Sequence, residues 1–247
     1  MPIRPTAPRH AAALAMAVAA LIALGCSNSS TSWNKRFGIP PATAPAPPPD
    51  SPTNTVQLFK WCWENRDIAH YREILSADFT FGCPVTDSLG ISYPDNSWTR
   101  EDEVASSTHL FAGSNASEPP ASNISLIFDG NLTAQPDFRA GKNPEWHQQV
   151  QVSNLTLTIM RSDGSGLRVT GAAQFYLVRG DSAMIPQELI DIGFKPDPGR
   201  WFIERWEDQT NNGGVAASVP ARDAGATPAM PLPAHTATWC NIKSLYR

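Results

Sequence analysis

From Val56 to Trp63 apolar residues fall at helical spacing. Val56, Phe59 and Trp63 share one face, and Leu58 and Cys62 widen it. Ser51 followed by Pro52 supplies a capping residue and a proline at the first helical position, so a helix starts there. Asn65-Arg66-Asp67 breaks the period, and Ile68, Tyr71 and Leu75 predict a second, short helix. Phe79 and Phe81 alternate with polar residues, as in a strand. A loop is expected from Pro84 to Asn96, with a hairpin turn near Ser88-Leu89-Gly90. Trp98 to Glu103 then opens a third helix. Thr99 and Asp102 have capping-box spacing, and Glu101, Asp102 and Glu103 suit the positive end of the helix dipole. Val104, Thr108 and Phe111 mark its expected inner face.

Further along, the period changes from helical to alternating. Ile124, Leu126 and Phe128 predict one strand. Val150 and Val152 alternate, then Leu155, Leu157 and Ile159 alternate in the opposite phase. A phase change at Ser153-Asn154 is what a bulge does to a long bent strand. Asp163-Gly164 reads as a turn, Leu167 to Val178 as another long strand, Pro186 to Gly193 as a helical turn, and Trp201 to Trp206 as the last strand. Helices first and long turn-linked strands afterwards predict an α+β domain, with N-terminal helices packed on one face of a curved antiparallel sheet.

The flanks differ in composition. Residues 26–50 are rich in Ser, Ala and Pro, which favours an extended stalk; residues 210–235 form a Gly/Ala/Pro-rich linker. The domain between them covers residues 51–209. In residues 236–247, Trp239, Ile242 and Tyr246 predict a short terminal helix that docks back on the core. Lys and Arg number 19 against 23 Asp and Glu, a net charge of −4 with no basic run, so nucleic acid is not an expected partner.

Residues 1–25 form a basic start, with Arg4 and Arg9, and an apolar run from Ala11 to Leu24. That run is shorter than the roughly 20 residues needed to span a bilayer and suits a secretory leader. Its end, Ile22-Ala23-Leu24-Gly25-Cys26, resembles the lipobox of bacterial lipoproteins. The resemblance implies cleavage before Cys26 and lipidation of that cysteine, hence a membrane partner through a lipid anchor. Ser27, where an acidic residue would signal retention, implies the periplasmic face of the outer membrane.

The stretch from Asn54 through Leu58, Trp63, Asn65, Arg66 and Asp67 to Tyr71, the strand Asp78-Phe79-Thr80-Phe81, and the closing Arg200-Trp201-Phe202-Ile203-Glu204-Arg205-Trp206-Glu207-Asp208 together resemble the nuclear transport factor 2-like (NTF2-like, SnoaL-like) superfamily over about residues 53–209. The resemblance implies a cone-shaped α+β fold with a pocket between sheet and helices. It leaves open a non-catalytic binding or accessory module, an enzyme of the cyclase, isomerase or dehydratase kind, and a scaffold that forms a homodimer through its sheet.

Candidate chemistry is sparse. No histidine pair has metal-ligand spacing, no C-x-x-C or G-x-S-x-G occurs, and no cofactor or metal is expected. His109 on the third helix could face a pocket or serve structurally, and His70 is expected to face solvent. Alternation along the last strand sets Trp201, Ile203 and Arg205 on the inner face. Arg205 would then be a buried cation needing an acid, from Asp78 or Glu207, or an anionic ligand. Candidate pocket residues are therefore Arg205, His109, Trp98, Tyr71, Asp78 and Trp201, with a small-molecule ligand as the expected occupant. A binding module predicts a pocket that is small or filled by its own aromatic rings; an enzyme predicts an open one. Cys62, Cys83 and Cys240 allow at most one bridge. Buried free thiols are the default for Cys62 and Cys83, and Cys62–Cys240 is an alternative staple for the terminal helix.

Overall fold

The computed structural model describes residues 44–83, 98–113, 118–209 and 235–247. The leader with Cys26, most of the stalk, the turn near Ser88-Leu89-Gly90 and residues 210–234 of the linker lie outside the described residues. The elements in chain order are α1 (Pro52–Asn65), α2 (Ile68–Glu73), β1 (Leu75–Gly82), β2 (Trp98–Thr99), α3 (Arg100–Ala112), β3 (Ala121–Asp129), β4 (Ala134–Pro136), β5 (His147–Arg161), β6 (Gly166–Gly180), α4 (Gln187–Asp191), β7 (Asp197–Gln209), β8 (His235–Thr236) and α5 (Trp239–Leu245). Among the described residues no helix is long and apolar enough to cross a membrane.

Local chemistry sets the helix ends. Ser51 Oγ accepts the Asn54 amide at 3.3 Å, and Pro52 follows at the first helical position. α1 stops at Arg66, whose left-handed backbone (φ 54°) turns its N–H back onto the carbonyls of Cys62 and Trp63. Asp67 then caps α2 by accepting the His70 amide at 3.0 Å. At α3 both bonds of the Thr99–Asp102 capping box are present.

The strands form one sheet in the order β2-β1-β7-β6-β5-β3, with β4 added to β5 and β8 to β6. Most neighbours are antiparallel, but β1 runs parallel to β7, so the sheet is mixed rather than purely antiparallel. α1, α2, α3 and α5 lie on one face, over a core that includes Phe59, Trp63, Tyr71, Phe175 and Trp206, all fully buried. α+β is therefore the observed class.

Two bulges decide which side chains reach that core. Val152 pairs with Ala173 and Leu155 with Gly171, so Ser153 and Asn154 together face one residue of β6. The extra residue keeps Val150, Val152, Leu155, Leu157 and Ile159 on the same face despite the switch of phase. The second bulge is in β7, where Ile203 pairs with Leu177 and Arg205 with Tyr176, leaving Glu204 as the extra residue. Trp201 and Ile203 before it, and Trp206 after it, all join the core. Arg205 turns to the opposite face. Its side chain is 41% exposed and pairs with Glu207 at 2.8 Å. The inward Arg205 read from simple alternation is thus corrected: one inserted residue moves every later side chain to the other face.

The opposite sheet face is also partly covered. Val178 and Phe202 pack there against Ile185 and Leu189. The Arg139 guanidinium lies 3.7 Å from the centre of the Tyr176 ring, and Lys142 pairs with Glu204. Asp137, only 1% exposed, accepts Arg139 Nη2 at 2.7 Å and the Arg139 amide at 3.0 Å. Burial pushes the Asp137 carboxyl up. The hydrogen bonds and charge of Arg139, with the charge of Lys142, outweigh that and hold it below the usual aspartate range.

Two outcomes follow from this packing. A lowered native pKa makes the Asp137 contribution present above the unfolded value of about 4 and lost as pH falls through the native one. Urea unfolding at pH 6 and pH 3 will therefore show lower stability at pH 3, with a smaller pH difference in Asp137→Asn. At Gly180 an added Cβ would meet Phe202 Cε2 at 2.6 Å and the Asp197 carbonyl at 3.2 Å. Gly180→Ala is expected to lower the unfolding free energy by about 1–3 kcal/mol, measured in the same titration.

Candidate functional site

The strongest concentration of buried polar groups lies between α2, α3 and α5. Glu103 on α3 is fully buried. Its Oε1 accepts Tyr71 Oη at 2.5 Å and Ser107 Oγ at 3.2 Å; its Oε2 accepts Trp98 Nε1 at 3.0 Å. The Lys243 ammonium, brought in by α5, pairs with Oε1 and also donates to Ser107 Oγ at 3.2 Å. Lys243 Nζ sits 4.7 Å from the centre of the Trp63 ring, 5.4 Å from Trp206 and 6.0 Å from Tyr71. The cation thus lies between a carboxylate and three aromatic rings.

Burial pulls the Lys243 ammonium below the usual lysine range, against the pull of Glu103. Burial, then the charge and hydrogen bond of Glu103, push the Tyr71 phenol well above its usual range. Tyr71 therefore remains a donor. With Tyr71, Trp98, Ser107 and Lys243 all on its oxygens, the Glu103 carboxylate is saturated, which suits it to hold a cation rather than to move protons.

α3 is responsible for this polar interior. Its buried stripe is Arg100, Glu103, Ser106, Ser107, Leu110 and Phe111. Of the expected face of Val104, Thr108 and Phe111, only Phe111 is buried, so that expectation is corrected. The stripe keeps helical spacing, but polar residues carry it because their partners come from other elements. Arg100 Nη2 donates to the Arg72 carbonyl at 2.7 Å and Nη1 to Glu188 at 2.7 Å, and Ser106 Oγ donates to the Lys243 carbonyl at 3.2 Å.

α5 closes the space over this group. Trp239, Cys240 and Ile242 are buried on it, and Tyr246 is buried just past its end. The Trp239 ring lies 4.6 Å from Trp63 and 4.7 Å from Trp206. A disulfide joins Cys240 to Cys83, with the Cα atoms 5.9 Å apart. This corrects the reading of Cys83 as a free thiol and the alternative bridge Cys62–Cys240; among the described residues Cys62 is the free buried cysteine, as the default reading has it. Burial, reinforced by Asp67 and Glu73, pushes the Cys62 thiol far up, so it stays protonated and unreactive.

The sequence candidates divide. Tyr71 and Trp98 meet on Glu103. His109 lies at the edge of the same region, its Nδ1 2.9 Å from the Tyr246 carbonyl, where it ties the end of α5 to α3. Trp201 is core, with the Arg179 guanidinium 5.3 Å from its ring centre. Asp78 is exposed and accepts Ser76 Oγ at 2.7 Å. Arg205 faces away. These last three take no part, so the grouping of Arg205, Asp78 and Trp201 into one pocket is corrected. His70 is half-exposed and pairs with Asp67 at 2.8 Å.

Glu103, Ser107, Trp206 and Lys243 were missed. One signal for Lys243 existed: Trp239, Ile242, Lys243 and Tyr246 follow the i, i+3, i+4, i+7 spacing of a single stripe, so the lysine occupies a core position. Among the described residues no group of His, Cys, Asp and Glu could hold a metal ion. One surface cleft of about 420 Å³ is lined by Asn131, Thr133, Gln135, Gln149, Gln151 and Gln174. Another, at the β5 bulge, is lined by residues from Ser153 to Thr156 and Thr170 to Ala172. Neither borders Glu103 or any sequence candidate.

No known protein family and no curated protein sequence matches the chain. Solved structures do resemble it. An NTF2-like superfamily protein from Salmonella enterica serovar Typhimurium aligns over 67% of this chain and 92% of its own, at 12% identity and a TM-score of 0.41. An NTF2-like protein with a cystatin-like fold from Novosphingobium aromaticivorans aligns over 78% and 96%, at 12% identity and 0.40. The beta subunit of benzoate 1,2-dioxygenase from Burkholderia mallei aligns over 64% and 87%, at 15% and 0.39. A likeness at this level says nothing about what the chain binds.

Removing one partner of the Glu103–Lys243 pair leaves a buried charge uncompensated. Lys243→Ala is expected to cost about 3–5 kcal/mol in chemical unfolding. Adding Glu103→Gln to Lys243→Ala removes that charge and is expected to recover part of the loss, read from a double-mutant cycle.

Proposed function

We propose that this chain is an envelope lipoprotein, anchored through Cys26 at the periplasmic face of the outer membrane, whose NTF2-like domain is a non-catalytic binding or accessory module. The observation that carries the non-catalytic reading is the closed interior. A general acid or base must reach a substrate proton. Glu103, a carboxylate on α3, is fully buried and saturated by donors, and its partner Lys243 lies against the rings of Trp63 and Trp206. His109, the histidine of the same helix, is engaged with the backbone of Tyr246. The anchor rests on the lipobox-like Ile22-Ala23-Leu24-Gly25-Cys26 and on the Pro-rich stretch after it, which suits a spacer between membrane and domain. Segments folded over the outer sheet face, with Arg139 on Tyr176 and Ile185 beside Phe202, favour one chain over a sheet-paired dimer.

Metabolic labelling with a radioactive fatty acid tests the anchor. Label is expected on the full chain in the outer-membrane fraction, and Cys26→Ser should lose both the label and the membrane association. Unlabelled wild-type protein, or a labelled Cys26→Ser variant, would remove the lipoprotein reading. Native mass spectrometry of the chain purified from its own envelope tests the module reading. A single-chain mass with at most an unchanged bound molecule is expected; conversion of a co-purified molecule on incubation would overturn it.

A further inference from the structure

The ion pair under α5 has an unusual division of parts. Three of the four donors on Glu103, namely Tyr71, Trp98 and Ser107, belong to α2, β2 and α3 and do not depend on α5. The rings around the ammonium do not depend on α5 either: Trp63 is on α1, Tyr71 on α2 and Trp206 on β7. Only the cation is delivered by the terminal helix. The domain proper therefore builds an oriented carboxylate inside an aromatic box, and the chain's own tail fills it. The Trp206 indole N–H, fully buried beside the ammonium, has no hydrogen-bond acceptor and adds an unused donor to the wall. A buried ion pair is a poor stabiliser compared with apolar side chains of the same volume, so plain packing gives little reason for this arrangement.

The tail is held in a way that permits release. α5 has seven residues, too few to stand as an isolated helix. β8 pairs with β6 at two positions, Leu167–His235 and Arg168–Thr236. Between β7 and β8 lie residues 210–234, which extended would span on the order of 80 Å, enough for α5 to leave without moving the domain. The covalent tie is Cys83–Cys240, across 157 residues of sequence. While it is intact, α5 cannot leave. Once it is reduced, noncovalent contacts alone hold α5 on the domain, and a free ligand can compete with them.

We propose that the space held by Lys243 and Trp239 is a binding site for an organic ammonium, a primary amine on an aromatic or apolar body, which becomes accessible when a dithiol reduces Cys83–Cys240. The reduction is a thiol–disulfide exchange. A thiolate of the dithiol attacks one sulfur and displaces the other; its second thiol then resolves the mixed disulfide. Cys83 and Cys240 end as two thiols, having gained two electrons and two protons, and the dithiol ends as its disulfide. The ligand's ammonium replaces Lys243 Nζ on Glu103 Oε1 and Ser107 Oγ, and its body takes the place of the Trp239 ring against Trp63 and Trp206. This proposal rests on the binding-module reading and names its ligand class.

The test uses the full chain, oxidised and after dithiothreitol, titrated with phenethylammonium and with the neutral 2-phenylethanol. Binding is read by calorimetry and the fold by near-ultraviolet circular dichroism. Saturable phenethylammonium binding is expected in the reduced protein and in Cys83→Ser/Cys240→Ser without reductant, and about tenfold or more weaker binding in the oxidised protein. 2-Phenylethanol should bind about tenfold more weakly than the amine. Lys243→Met keeps the tail's apolar stem and removes its charge, so in the reduced state it should bind the amine at least as tightly as the wild type. Glu103→Gln in the double-serine background should lose the amine. Acetic anhydride should modify Lys243 only after reduction. The proposal is overturned by equal binding in both redox states, by no preference for the amine, by Lys243 remaining unreactive after reduction, or by loss of the folded core on reduction. Since Glu103→Gln can fail for reasons of folding, Lys243→Met decides independently: weaker amine binding by that variant also overturns it. An envelope-purified chain carrying a neutral or anionic molecule would leave the binding-module reading in place and remove the ammonium site. Turnover of that molecule would remove the module reading itself.

Discussion

A carboxylate with no access to water organises the helical side of this domain. An isolated ionised group of this kind is costly to bury, and the cost is met only when each oxygen is fully engaged. Glu103 satisfies that requirement with groups from four elements: Tyr71 from α2, Trp98 from β2, Ser107 from its own helix and Lys243 from α5. The orientation of α3, the placing of β2 at the sheet edge and the docking of the terminal helix are therefore linked. Arg100, one turn earlier on α3, extends the linkage to the carbonyls of Arg72 and Leu75 and to Glu188. The aromatic rings fill the remaining volume, with Phe59 lying 4.9 Å from Trp206 and 5.0 Å from Phe175. Polar specification and apolar filling act together here: the hydrogen bonds decide which helix face turns inward, and the rings pack the space beside it.

The sheet answers to a different constraint. Long strands that cover helices must bend, and each bend costs an extra residue. The bulge at Ser153-Asn154 keeps five aliphatic residues of β5 inward, and the bulge at Glu204 keeps Trp206 inward while turning Arg205 out. The second bulge also serves the outer face, since Glu204 becomes the acid that receives Lys142. Both sheet faces are thus partly occupied, by α1, α2, α3 and α5 on one side and by α4 and the segments around Asp137, Arg139 and Ile185 on the other. Among the described residues, one cleft open to solvent is polar, lined by Gln149, Gln151 and Gln174 among others. The enclosed polar group of the domain lies under α5, which the disulfide between Cys83 and Cys240 joins to the end of β1.

Much of the architecture was legible before any coordinates, because it rests on local rules. The cap at Ser51, the capping box at Thr99 and Asp102, the break at Asn65-Arg66-Asp67 and the bulge at Ser153-Asn154 all depend on neighbours within a few residues, so spacing along the chain reveals them. The order of helices and strands gave the α+β class for the same reason. Tertiary structure alone decided the rest. Alternation could not locate the extra residue at Glu204, because only the partner strand β6 defines it, and with it went the placement of Arg205. Hydropathy could not find the buried stripe of Arg100, Glu103 and Ser107, because a polar side chain is admitted to a core only when its partners are there, and those partners lie up to 140 residues away. Nor could it choose Cys83 over Cys62 for the bridge to Cys240, which requires the distance between two Cα atoms. What the sequence determined was the set of elements and the chemistry available to them; which charges meet, and which thiols join, was decided by long-range geometry.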